Sequence, residues 1–181
     1  MKIMIASDIH GSAYYCDLML KCFEKENAES LLLLGDILYH GPRNDLPMEY
    51  SPKAVIDMLN EVKSKIFCVR GNCDTEVDQM VLEFPIMAEY ALIYAGSSII
   101  YATHGHKFGE TNPPSAGEDF ILLNGHTHVP KYRKYENYTY INPGSVSIPK
   151  ENSRHSYIIF DGNTFIWKSV DNMEEYMRAD I

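Results

Sequence analysis

Through about residue 82 the chain alternates short apolar runs with stretches of helical period. KIMIAS reads as a first strand. Behind it, Tyr15, Leu18, Met19, Cys22 and Phe23 fall at i, i+3, i+4, i+7 and i+8, one apolar face of a helix. SLLLLGD reads as a second, buried strand. SPKAVIDMLNEV comes next as a helix, with Ser51 at the N-cap, Pro52 at the first helical position, and Val55, Met58, Leu59 and Val62 on one face. KIFCVRGN is the next buried strand. This alternation predicts βαβ units with largely parallel pairing.

Beyond Pro85 strands take over. YALIYAGSSIIYATHGH reads as two strands around a Gly-Ser turn. FILLNG, YTYINPG, SYIIF and TFIWKS are further short strands, the last two joined through Asp161-Gly162-Asn163. The tail from Asp171 to Ile181 fits a short helix or a frayed end. No linker, repeat or low-complexity segment interrupts the chain, so residues 1–181 are expected to form one α/β domain.

Composition adds limits. Hydrophobic residues at 45% and charged residues at 23% are ordinary for a soluble globular protein. No apolar run approaches the roughly 18 residues of a membrane helix. MKIMIASDIHG is too short in its apolar part for a signal-peptide core, so the expected compartment is the cytoplasm. Cys16, Cys22, Cys68 and Cys73 form no C-x-x-C pair and are expected to stay reduced, with Cys16 and Cys22 in the core. A formal net charge of −9 opposes binding to long nucleic acid or anionic membrane. The basic cluster Lys131, Arg133 and Lys134 reads as a solvated strand face. The aromatic stretch YRKYENYTY reads either as another such face or as a homo-oligomer contact.

The candidate chemistry lies where strands end. The first ends in Asp8-Ile9-His10, the second in Gly35-Asp36 and the third in Gly71-Asn72. IIYATHGH ends in His104-Gly105-His106, and FILLNGHTH in His126 and His128. In open α/β sheets, ligands bind beyond the carboxyl ends of the strands. The i, i+2 spacing of Asp8/His10 and of His126/His128 would put each pair on one side of an extended chain. Each piece also has an ordinary reading. Asp8 is a fair helix N-cap, Asp36 and Asn72 are fair turn residues, and His104 or His106 alone is a fair surface histidine. Five such pieces in order, all at strand ends, read together as a metal site. His40 and His155 fall in loops outside the set and are read as structural.

The set offers two carboxylates, one amide oxygen and four imidazoles, without thiolate. That suits Mn²⁺, Fe²⁺, Zn²⁺, Co²⁺ or Ni²⁺ better than Mg²⁺ or Ca²⁺. Seven ligands exceed what one ion with an open position can use, and match two ions sharing one carboxylate. Two dications beside Asp8 and Asp36 leave positive charge that favours a phosphate.

With DIH, GD, GNC, HGH and GHTH in this order, the chain resembles the calcineurin-like metallophosphoesterases, whose pattern is D-x-H, G-D, G-N-[H or C], H-G and G-H-x-H. GDILYHGPRNDLP, RGNCDTEVDQM and NPGSVSIPK look closer still to the small bacterial YfcE-type phosphodiesterases. The resemblance implies a single metallophosphoesterase domain over 1–181: two packed mixed β-sheets flanked by helices, a four-layer sandwich. It implies that Asp8, His10 and His128 hold a first metal, that Asn72, His104 and His126 hold a second, and that Asp36 bridges them. Mn²⁺ is the expected pair, with Fe²⁺, Zn²⁺, Co²⁺ or Ni²⁺ as alternatives. It implies in-line attack by a metal-bridging hydroxide on a small or exposed phosphodiester at Asp36 and Asn72. Cys73, directly after Asn72, reads either as a participant or as filling space beside the site, and Arg43, closely following Asp36, reads either as a substrate contact or as a surface residue. His106 matches no ligand slot and is expected to touch a ligand or the substrate.

Many members carry histidine where this chain has Cys73, which leaves the source of a leaving-group proton open. A phosphomonoesterase is the alternative. It would call for extra cations, for which Arg43 is the one candidate. A non-catalytic metal-binding scaffold is the alternative from another class, and the presence of all seven ligand positions argues against it.

Overall fold

The structure is a computed structural model that describes residues 2–96, 98–117 and 119–181. Its first half runs β1 (Ile3–Ala6), α1 (Ala13–Glu26), β2 (Ser30–Leu33), α2 (Pro52–Glu61), a 3-10 turn (Lys63–Lys65), β3 (Ile66–Cys68) and α3 (Glu76–Gln79). The second half is all strand: β4 (Ala91–Ala95), β5 (Ser98–Ala102), β6 (Phe120–Leu123), β7 (Pro130–Lys134), β8 (Tyr138–Pro143), β9 (Ser156–Phe160), β10 (Thr164–Ser169) and β11 (Glu175–Asp180). The Gly-Ser turn expected between β4 and β5 includes Ser97, which lies outside the described residues.

Two mixed sheets result. One has six strands in the order β11-β10-β9-β1-β2-β3, and the other has five in the order β4-β5-β6-β8-β7. The pairs β1-β2, β2-β3, β5-β6 and β6-β8 are parallel, and the remaining pairs are antiparallel. Side-chain alternation sorts the core into layers. Ile3, Ile5, Leu32, Ile158 and Phe160 face the second sheet and meet Ile100, Ile121, Leu123 and Ile141 there. Met4, Leu31, Leu33, Tyr157 and Ile159 face the other way, onto Tyr15, Met19 and Phe23 of α1 and Val55 and Leu59 of α2. The outer face of the five-stranded sheet is covered by aromatic side chains and Ala116 of a loop, so the helices cap one sheet only. Among the described residues no helix is long and apolar enough to cross a membrane.

Three local readings change. KIFCVRGN is an edge strand rather than a buried one, so Phe67 turns outward at 63% exposure. The tail is neither helix nor frayed: β11 pairs antiparallel with β10. The stretch YRKYENYTY is less exposed than its composition suggests. Tyr140 is buried, and Tyr135 stacks on Tyr138 while its hydroxyl donates to Glu110 (2.7 Å). Lys131 and Arg133 pair with the same Glu110 at the surface. Ser51 does stand before α2, with Pro52 first in the helix, yet its side chain makes no capping hydrogen bond. In α1 the cap is Ser12, whose hydroxyl accepts from the Tyr15 amide.

A buried ionic knot ties α1 to the first sheet. Glu26 accepts from Lys168 of β10, from the Tyr157 hydroxyl (3.1 Å) and from Lys2 Nζ (3.0 Å). Burial raises the Glu26 carboxyl, but Lys168 and Lys2 outweigh it and hold the group below its usual value. The folded pKa is thus below the unfolded one. The contribution is complete above the unfolded value of about 4.5 and is lost as pH falls through the folded value. Glu26→Gln should lower the unfolding free energy by about 1–3 kcal/mol at neutral pH. Urea titrations should show that difference shrinking below about pH 4.

Candidate metal centre

The parallel strands β1, β2, β3, β5, β6 and β8 direct their carboxyl ends to one rim. The segments after five of them bring together Asp8, His10, Asp36, Asn72, His104, His126 and His128. Asp8, His10 and His128 offer donor atoms within 4.8 Å of one another, and so do Asp36, His104 and His126. Asn72 joins the second group, its Oδ1 lying 3.0 Å from His104 Nε2. Asp36 sits between the groups: its Oδ2 is 3.4 Å from His104 Nε2 and 3.7 Å from His10 Nε2.

The pairs at i, i+2 meet by a different route from an extended chain. Asp8, His10, Asp36, His126 and His128 all have left-handed backbones, with φ of 58°, 50°, 55°, 67° and 61°. Such conformations are costly for residues with a Cβ and persist where the surroundings dictate them. The turns after β6 swing its two histidines to different groups: His128 joins Asp8, whereas His126 joins Asp36; Asp8 and His10 stay in one group. Close approach explains two glycines. A Cβ on Gly71 would fall 2.1 Å from Asp36 Oδ1, and one on Gly125 would fall 1.9 Å from Ser7 Oγ and 2.8 Å from Asp8 Oδ2.

Three histidines are locked in one orientation. His10 Nδ1 lies 2.7 Å from the Tyr39 carbonyl, His104 Nδ1 2.7 Å from that of Leu34, and His128 Nδ1 2.8 Å from that of Ile148. Each Nδ1–H donates outward, so each Nε2 lone pair points inward. His10 and His128 thereby aim at Asp8 Oδ1, from 3.6 and 3.3 Å. That oxygen is buried and has no hydrogen-bond donor among the described residues. Lone pairs converging on carboxylate oxygens repel unless a cation lies between them, so this donor set fits divalent metal ions.

The titration shifts agree in direction. Burial alone would raise Asp8, but the neighbouring His10, His128 and His104 hold it well below the usual carboxylate range. Burial also works against Asp36, and His104 brings it below its ordinary value. His104 itself is lowered by burial but raised further by Asp36 and Asp8, to about 9. Burial and the neighbouring His104 push His126 down to about 4. The cluster keeps its carboxylates charged and draws cations.

Around the cluster lies a cavity lined by His10, Asp36, Asn72, Cys73, His126 and His128, with Arg43 and Lys150 at its rim. Arg43 is therefore not the one nearby cation. Cys73 stands beside Asp36, donating its backbone N–H to Asp36 Oδ1 (2.8 Å), while the Asn72 amide donates to its sulfur (3.3 Å). Burial, then the Asp36 charge, pushes the Cys73 thiol far up, so it is neutral. His106 flanks the second group, its ring centroid 5.5 Å from that of His104. His40 packs edge-on to Tyr39 and Tyr50, and His155 stacks on Tyr15 and bonds the Val146 carbonyl. Both stay outside the centre.

Two supporting residues escaped the sequence reading. Lys150 is one, although it closes the segment NPGSVSIPK. Asp74 is the other, directly after GNC. Its buried carboxylate accepts the backbone N–H groups of Asp36 (2.9 Å), Gly71 (2.8 Å) and Ile37 (2.9 Å). It clamps the β2 and β3 loops together. Ser145 and Ser147 similarly donate to the Asp8 carbonyl, at 2.8 and 3.1 Å.

Comparison with known proteins agrees with this geometry. Residues 1–164 match the model of the calcineurin-like phosphoesterase superfamily domain. Phosphodiesterase YfcE of Escherichia coli strain K12 is 46% identical over 163 residues, 90% of this chain and 89% of that protein. The solved structure of the E. coli phosphoesterase Yfce superposes with a TM-score of 0.95 at 42% identity, covering 100% of both chains. A wild-type Vps29 from Entamoeba histolytica, solved with zinc, shares the fold at a TM-score of 0.65 and 18% identity over 99% of each chain.

Asp74→Asn should expose the clamp. The amide presents one acceptor oxygen where the carboxylate presents two, so at least one buried N–H loses its partner. The expected cost is about 1–3 kcal/mol in unfolding free energy. Calorimetric titration should also show weaker Mn²⁺ binding, because the Asp36 turn is slackened.

Proposed function

The chain belongs to the calcineurin-like phosphoesterase superfamily, and from that membership we propose that it is a two-metal phosphodiesterase acting on a small or exposed phosphodiester. One observation carries the reading: a single oxygen of Asp36 lies between two groups of nitrogen and oxygen donors. In this reading Asp8, His10 and His128 hold one ion, Asn72, His104 and His126 hold the other, and Asp36 serves both. Mn²⁺ is the first choice for a mixed carboxylate and imidazole set, with Fe²⁺, Zn²⁺, Co²⁺ or Ni²⁺ as alternatives. Such a pair, when bound, supplies a hydroxide at neutral pH for in-line attack and Lewis acidity for the phosphoryl oxygens.

The side chains set the rest. Asp8 and Asp36 stay ionised, and the three carbonyl-anchored imidazoles stay oriented without reorganisation. In this reading Arg43, on the loop after Tyr39 and lining the same cavity, contacts the phosphoryl group. Burial disfavours the Cys73 thiolate, which fits direct attack with no covalent enzyme intermediate. The thiol is also a weak donor for a leaving oxygen. The presence of every ligand position favours catalysis over a scaffold role, and the cytoplasm remains the expected compartment.

The first test is hydrolysis of bis(p-nitrophenyl) phosphate with added Mn²⁺. Activity should vanish with a chelator and fall roughly a hundredfold or more in Asp36→Asn, with loss of bound metal. A metal-loaded protein inert toward every diester would overturn the reading.

Cys73 generates a second expectation. With a poor acid beside the site, kcat/KM should depend steeply on leaving-group pKa, fast for nitrophenyl and slow for alkyl esters. Cys73→Ser should cost little with nitrophenyl esters, and Cys73→His should help the poorest leaving groups most. A series of aryl and alkyl diesters measures this; a large loss in Cys73→Ser with metals retained would give the thiol a direct part.

A further inference from the structure

The loops that orient His10 and His128 share a feature. The Tyr39 carbonyl fixes His10, and Arg43 stands four residues later. The Ile148 carbonyl fixes His128, and Lys150 stands two residues later. Both cations line the rim of the same cavity. Among the described residues, no hydrogen bond or ion pair engages either charged group. Several exposed lysines elsewhere among these residues are also unpaired, but Arg43 and Lys150 are the cations that line this cavity.

Lys150 is also held in place by a built turn. Its N–H donates to the His128 carbonyl at 3.1 Å. Ser153 returns to the Lys150 carbonyl through its hydroxyl (2.6 Å) and its N–H (3.0 Å). Between them Glu151 and Asn152 both adopt left-handed backbones, with φ of 55° at each. Left-handed backbones at both central residues, closed by the Ser153 N–H, make a defined tight turn. The loop leading to it is pinned to Asp8 by Ser145 and Ser147. The Lys150 backbone is thus fixed relative to His128 and Asp8, with its side chain free to reach a ligand.

Charge counting says what such a lysine is for. Two divalent ions bring four positive charges. Asp8, Asp36, a hydroxide and the phosphoryl of a diester bring four negative ones. The buried Asp74 carboxylate beside Asp36 offsets one of the cations Arg43 and Lys150, which leaves one positive charge in surplus beside a singly charged diester, and a surplus cation selects additional negative charge. We propose that Lys150 is a specificity-determining residue that binds a second anionic group, a carboxylate or phosphate, carried on one arm of the phosphodiester substrate. This rests on the phosphodiesterase reading above and names its substrate class.

The test uses ligands that cannot be hydrolysed, so it does not depend on turnover. Propylphosphonate and 3-phosphonopropionate share the phosphonate that the metal centre takes, and only the second carries a carboxylate arm. Calorimetry on the Mn²⁺-loaded protein should give 3-phosphonopropionate about fivefold tighter binding, as a solvent-accessible ion pair allows. Lys150→Ala should bring the ratio near one, and Lys150→Arg should restore it. A wild-type ratio at or below one would overturn the proposal. So would a ratio unchanged in Lys150→Ala, including the case where both ligands weaken equally, which would put Lys150 on the scissile phosphoryl group instead. If the ratio behaves as expected while the loaded protein hydrolyses no diester, the fault lies with the phosphodiesterase reading and not with Lys150.

Discussion

Three backbone carbonyls, those of Leu34, Tyr39 and Ile148, govern what this centre can hold. By accepting Nδ1–H from His104, His10 and His128 they turn three Nε2 lone pairs toward the carboxylates of Asp8 and Asp36. Electron pairs facing electron pairs in a buried site are tolerable only with a proton or a metal ion between them, and the raised His104 carries such a proton in the metal-free chain. The orientation is set by main chain, whose position is set by the sheets. A site of this kind is preorganised before any metal arrives, and ligand orientation costs little when one does.

The fold supplies that main chain at the carboxyl ends of parallel strands drawn from two sheets. Trp167 of β10 donates to the Asn142 carbonyl of β8 (2.7 Å), and the Asn142 amide donates to the Gly125 carbonyl (2.7 Å) just before His126. A contact between the sheets is thereby relayed into the metal loops. Asp74 does the same between the β2 and β3 loops, and Ser145 and Ser147 between the β8 loop and Asp8. Much of the buried polar inventory around the rim is bracing of this sort, and the tight glycine contacts at Gly71 and Gly125 show how little slack it leaves.

The sequence made the residues of this cluster legible because strand ends carry visible punctuation. An apolar run that stops at Gly-Asp, Gly-Asn or Gly-His announces both the strand and the ligand-bearing loop behind it. It also made β/α alternation legible in the first half, through helical period in α1 and α2. What it hid was set by distant partners. Phe67 looks like core until β3 proves to be an edge. The tail looks uncommitted until β10 pairs with it. Asp74 and Lys150 read as loop residues because the groups they serve are Asp36 and His128. The left-handed turns at Asp8, His10, His126 and His128 were invisible for the same reason, since an i, i+2 pattern says nothing about the φ that delivers it.

Asp36 joining two metal positions is the central claim. Crystals of the Mn²⁺-loaded protein, measured at the manganese absorption edge, test it directly. Two anomalous peaks are expected roughly 3.5–4 Å apart, one among Asp8, His10 and His128 and one among Asn72, His104 and His126, each in contact with Asp36. A single peak at saturating manganese, or two peaks of which only one touches Asp36, would contradict it.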